Sequence, residues 1–223
     1  MNTKVYIQFL ITENRLPPKE AELLKNIIKK HAKKAGLVLN IPLINVTVYS
    51  NSKLTIPETG EGGYTPSKDW IHLYIDPKRK KTELNDIINN IIPATIYHEM
   101  NHASRWQNTG YGSSFLDAMV TEGLATVFAR EEWSKFKAPW CDFSEKELDK
   151  LLKIIRKRNK NNDRIYNHEE WFYGSGKIPR WAGYKLGSYV IQSFRKTNKN
   201  ITWKELSKMS TEEIVKKSAI NLG

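Results

Sequence analysis

A chain of 223 residues, 39% of them hydrophobic, can bury one sizeable core or two small ones sharing a cleft, and it leaves no room for a large accessory domain. The net charge is +12, densest in "PKRKK" (77–81) and "IIRKRNKNNDR" (154–164), but no helix-turn-helix, aromatic RNA-binding motif or zinc-finger spacing accompanies it, so nucleic acid is not the expected partner. The single cysteine, Cys141, excludes an intrachain disulfide, and no stretch approaches the roughly 18 apolar residues of a membrane span, so a cytoplasmic chain with no membrane partner is expected.

At the N-terminus Val5, Ile7, Phe9 and Ile11 alternate up to Thr12 and Glu13, which predicts a strand and not a signal peptide. Pro17 and Pro18 then open a helix carrying Leu23, Leu24, Ile27 and Ile28 at helical spacing, with Gly36 as its expected stop. "LINVTVYS" (43–50) predicts a second strand, "IPETGEGGYTPSKD" (56–69) a glycine and proline loop, and "WIHLYID" (70–76) a third strand, either at the sheet edge or fully paired inside it. A helical region runs from about Thr82 to Trp106, with Pro93 demanding either a kink or two helices that meet there.

Residues 113–133 predict a strong helix, capped by Ser113 or Ser114, with Phe115, Met119, Leu124 and Phe128 on one apolar side. "SEKE" (144–147) reads as a capping box for the next helix, "NKNNDR" as a polar loop, Pro179 as the first turn of a helix to about Lys196, and "STEE" (210–213) as the cap of a last short one. The expected fold class is therefore α+β in a single domain, 1–223, with a β-sheet lobe over about 1–107 and a mainly helical lobe over about 108–223.

The chemistry lies in "IYHEMNHAS" (96–104). Residues four apart on a helix differ by about 40° around its axis and about 6 Å along it. His98 and His102 therefore point the same way and can bind one metal ion, and H-E-x-x-H on a helix is a zinc peptidase signature. In that arrangement Glu99 does not bind the ion but takes a proton from the water that attacks a carbonyl. A catalytic zinc needs a third protein ligand, and Glu122 in "VTEGLATVF" is the candidate, because a helix folding back after "NTGYGSS" can present it. Gly123 beside it costs a helix up to about 1 kcal/mol relative to alanine, which close packing of two helices around a metal would repay. Asp117 on the same helix could hold a ligating histidine through its other ring nitrogen.

"GGYTPSKDWIHLYIDP", "HEMNHASR", "FLDAMVTEGLATVFA" and "PRWAGYKLGSYVI", in this order, resemble a family of predicted zinc-dependent proteases catalogued as a domain of unknown function, of the gluzincin type, over about Ile56 to Ser218. The resemblance implies a zincin-like metallopeptidase fold, one Zn2+ per chain held by His98, His102 and Glu122, Glu99 as general base, and a peptide or protein as substrate. Thr126 stands where the best-known gluzincin pattern has an aspartate four residues after the glutamate ligand, which leaves the orienter of one histidine unassigned.

A developing oxyanion needs a donor besides the metal, and gluzincins commonly supply a tyrosine or histidine. Tyr184 in "RWAGYKLG" is the first candidate, between Gly183 and Gly187 and one turn after Arg180; His168 in "YNHEEWFYGSG" is the second. His31 and His72 lack a ligand's setting. A zinc hydrolase of a non-peptide amide or ester, and a metal-containing binding protein without turnover, are the alternatives to a peptidase.

Overall fold

The computed structural model of the chain describes residues 2–11, 14–160 and 166–223. The expected strand end at Thr12 and Glu13, and most of the "NKNNDR" loop, lie outside the described residues. The chain is α+β, with a four-stranded sheet and eight α-helices among the described residues, and it divides into two units: 1–108 with 128–136, and 109–127 with 137–223.

The first unit holds the sheet, of order β1-β2-β4-β3. Its strands are β1 (Lys4–Ile11), β2 (Leu43–Ser50), β3 (Glu61–Ser67) and β4 (Trp70–Ile75). β1 pairs with β2 and β2 with β4 in parallel, while β3 returns antiparallel to β4. A parallel pair needs a long crossover, and α1 (Pro18–Leu39) supplies it between β1 and β2. Alternation then sorts the strands: Ile44, Val46, Val48, Ile71, Leu73 and Ile75 are buried, and Leu24, Ile28, Ala32 and Ala35 of α1 are buried with them.

Two expectations change here, and one open alternative is decided. α1 does not stop at Gly36 but continues to Leu39 and is closed by Asn40 in the left-handed conformation; Gly36 lies inside the helix because a Cβ there would come within 2.1 Å of Thr3 Oγ1. The segment expected as a loop over 56–69 contains β3. Its inward row, Glu61, Gly63 and Thr65, is not apolar, so no alternation announces it, and the glycines and Pro66 are tolerated because β3 is an edge strand with a register irregularity between Tyr64 and Ser67. β4, with partners on both sides, is internal.

After β4, α2 (Lys81–Asp86) passes through a π-helical turn at 87–91 into α3 (Ile92–Asn108). Pro93 falls in the first turn of α3, where a missing backbone donor is tolerated, so two helices meet around the proline. The unit is completed by residues 128–136: Phe128 stands edge-on to Tyr97, and Trp133 donates from Nε1 to the Asn90 carbonyl at 2.8 Å and packs edge-on to His31.

His31 is buried on α1 with its Nδ1 3.3 Å from the Tyr97 hydroxyl. Burial, with Lys30 and Lys34 adding to it, lowers its pKa to about 4 from an ordinary 6.5. The folded state thus keeps His31 neutral where the unfolded chain would protonate it. Its contribution is complete above about pH 6.5 and is lost as the pH falls toward about 4, with a slope approaching 1.4 kcal/mol per pH unit. Urea unfolding midpoints between pH 7 and 4.5 should fall along that window, and less steeply in His31→Phe; equal pH dependence in both proteins would contradict this.

The second unit is helical. α4 (Phe115–Glu132) enters it up to Val127, and α5 (Glu145–Lys160), a π-helical turn at 169–173, α6 (Ala182–Thr197), α7 (Trp203–Leu206) and α8 (Thr211–Ser218) follow. α4 has no single apolar side, being buried all round from Met119 to Ala129. Gly123 and Gly187 let α4 and α6 cross at backbone contact: a Cβ on Gly187 would lie 2.0 Å from the Met119 carbonyl oxygen, and one on Gly123 2.3 Å from the Gly187 carbonyl carbon. The close approach foreseen at Gly123 is thus to α6. Ser144 caps α5 by accepting from the Glu147 N–H, but the Glu147 carboxylate accepts from Lys185 Nζ at 2.6 Å, so the box is half formed. Pro179 precedes α6, which begins at Ala182.

Candidate metal centre

α3 carries His98 and His102 one turn apart, and their Nε2 atoms converge to 3.0 Å with the rings crossed at 83°. One ligand atom from each of His98, Glu99 and His102 lies within 4.8 Å of the others; among the described residues this is the one cluster of three or more His, Cys, Asp or Glu that could hold a metal. Two bare imidazole nitrogens so close repel each other unless a proton or a cation lies between them. Two histidine nitrogens that converge one helical turn apart are donors that suit zinc.

Glu99 is buried and tied to β3. Thr65 Oγ1 lies 2.7 Å from Glu99 Oε2 and donates to it, and the same hydroxyl is 3.2 Å from the Glu99 carbonyl. Gly63, two residues earlier on the inward face of β3, makes room for the carboxylate: a Cβ there would fall 2.4 Å from Glu99 Oε1. Trp106 Nε1 donates to the Thr65 carbonyl at 2.9 Å and Gln107 Nε2 to the Lys68 carbonyl at 3.1 Å, so α3 is bonded along the length of the edge strand. Gly63 and Thr65 were not foreseen from the sequence. The signal lay in "EGGYTPS", a glycine-rich strand placed just before the helix it serves.

The other expected site residues belong to the second unit. Glu122 is buried on α4. Close by it, Tyr166 has its phenol pKa raised, by burial first and then by the Glu122 charge; its hydroxyl is hydrogen-bonded to His168 Nδ1. Tyr166, two positions before His168, is a third residue that the sequence does not single out. His168 stacks on Phe172 at 4.4 Å, and Tyr184 meets the same ring edge-on at 5.1 Å, so Tyr184 stands in an aromatic cluster. Arg180 lies over the Trp181 ring.

Asp117 caps its own helix. It accepts from the Ser114 hydroxyl at 2.7 Å and from the Ser114 N–H at 3.2 Å. Burial alone would raise its pKa, but the hydrogen bonds from Ser114 and Thr211, with backbone N–H groups, outweigh that and lower it.

The α+β fold and the paired histidines on one helix define a protein with a candidate zinc centre. Residues 21–216 match the model of the family described as predicted Zn-dependent protease, a domain of unknown function (DUF2268), and the chain belongs to that family. No curated protein and no solved structure matches the chain. No described helix is long and apolar enough to cross a membrane.

Proposed function

We propose that this protein is a zinc metallopeptidase of the gluzincin type, in which His98, His102 and Glu122 hold one Zn2+ and Glu99 is the general base. The observation that carries the reading is the convergence of the two histidine Nε2 atoms beside a buried glutamate that β3 holds in place. When bound, zinc supplies Lewis acidity toward a carbonyl and lowers the pKa of water.

The chain's own groups do the rest. The Thr65 hydroxyl fixes Glu99 Oε2, leaving Oε1, beside Gly63, to accept a proton from the attacking water and return it to the departing amine. β3 is an edge strand, so an extended peptide could add to it by backbone hydrogen bonds and run past Gly63 and Thr65, which flank Glu99. That role passes to β3 from β4, whose two paired sides leave no edge. Tyr184 is assigned as the oxyanion donor, with His168 and Arg180 as the other candidates; Asp117 acts through the cap of α4. A zincin-like fold accommodates these roles.

Metal content by plasma mass spectrometry tests the reading. The purified chain should carry about one zinc, and Glu122→Ala should lose most of it, since a catalytic zinc usually takes three protein ligands. A wild-type chain that takes up no zinc when it is offered sinks the proposal, and full zinc in the variant removes Glu122 from the ligand set.

A further inference from the structure

Glu61 has no part in the chemistry above, yet it is 2% exposed at the start of β3. Its carboxylate is placed with care. Thr59 Oγ1 donates to Oε1 at 3.1 Å, and Thr95 Oγ1 lies 2.7 Å from Oε2. Thr95 stands three residues before His98 and four before Glu99, so all three share one side of α3. On β3 the inward row is Glu61, Gly63, Thr65, and the second and third of these enclose the Glu99 carboxylate. Glu61 to Thr95 is therefore the first rung of a ladder whose later rungs seat Glu99.

An apolar side chain could fill this buried place without the desolvation cost of a carboxyl group. Burial pushes the Glu61 pKa up against the opposing bonds from Thr95 and Thr59, and the neighbouring Glu99 charge raises it further, while His98 pulls it down. An uncharged acid here can donate to Thr95 Oγ1, whose own hydrogen then turns to the Ile91 carbonyl at 3.4 Å. The hydrogen-bonded connection to α3 therefore persists in either protonation state.

We infer that Glu61 is a positioning residue of the metal-binding helix: through Thr95 it sets the register of α3 on β3, and with it the places of His98 and Glu99. This rests on the reading of His98, Glu99 and His102 as a zinc site. It adds a residue 37 positions before the motif, on another element, as a determinant of that site's geometry.

The test uses the full chain as wild type, Glu61→Gln, Glu61→Leu and Thr95→Val. Two readouts are taken: the visible spectrum and affinity of the cobalt(II)-loaded protein, and amide hydrogen exchange over 95–102 in the metal-free protein. Glu61→Gln, which can still bond both threonines, should match wild type in both. Glu61→Leu and Thr95→Val should each shift the cobalt spectrum, weaken cobalt binding by about 10-fold or more, and speed exchange over 95–102 while the β1 and β2 amides stay protected. A protein carrying both Glu61→Leu and Thr95→Val should be no worse than the worse single, as expected of two residues acting through one bond.

Unchanged spectrum and exchange in Glu61→Leu and Thr95→Val would overturn the inference. So would a Glu61→Gln protein as impaired as Glu61→Leu, because the carboxyl position would then serve folding and not a specific bond. If Glu61→Leu does not fold, Thr95→Val against Glu61→Gln carries the same decision. A wild-type chain that binds no cobalt overturns the zinc reading by itself, whereas the exchange comparison, made without metal, still decides whether Glu61 anchors α3.

Discussion

Glu99→Gln should fold, keep its zinc and lose peptide hydrolysis by about 10³-fold, within the range that a positioned general base contributes. The amide has almost the shape of the carboxylate, so it can sit between Gly63 and Thr65 and still accept the Thr65 hydrogen bond through its oxygen. It cannot take a proton from water at neutral pH. Digestion of a mixed peptide library by equal amounts of zinc-loaded wild type and variant gives the comparison. A variant that cleaves at the wild-type rate would remove Glu99 from the mechanism, whereas one that loses its zinc would mean that Glu99 serves the metal and not the proton.

Gly187→Ala should be the most destabilising conservative change in the second unit, at about 3 kcal/mol or more, the upper part of the range for overpacking. The added methyl carbon would lie 2.0 Å from the Met119 carbonyl oxygen and 3.0 Å from the Gly123 backbone. Those atoms belong to a helix and cannot swing aside as a side-chain tip would. α4 and α6 must move apart, and the unit loses the packing between them. Alanine's better helix propensity returns at most about 1 kcal/mol. Thermal unfolding followed by circular dichroism is sufficient, and a melting temperature within a degree of wild type would show that the helices can separate without penalty.

Most of the helices were legible because their apolar spacing, caps and prolines act locally. The pair His98 and His102 is the clearest case, since the pitch of a helix alone brings the two rings together. β3 was illegible for the opposite reason. Its inward positions are occupied by Glu61, Gly63 and Thr65, chosen for what they do to Thr95 and Glu99 on a different element, and no pattern within the strand records that. Gly36 misled in the same way: a glycine that ends a helix and one that admits a neighbour such as Thr3 look alike until the neighbour is known. Tyr166 was not legible because what perturbs it, burial first and then the charge of Glu122 44 residues earlier, exists only in the folded chain.

α4 starts in one unit and finishes in the other, and the chain crosses between units after residues 108, 127 and 136. No single cut can therefore yield an intact half. A fragment ending at Asn108 would contain the H-E-x-x-H turn but lack Phe128 and Trp133, leaving Tyr97 and His31 without the aromatic rings that cover them in the whole protein. Expression of such a minimal piece should give an aggregating product, and a protease nick within 109–127 should leave two pieces that stay associated through a native elution. The two units are separable as packing but inseparable as genes, so a deletion series would mistake broken folding for lost catalytic residues.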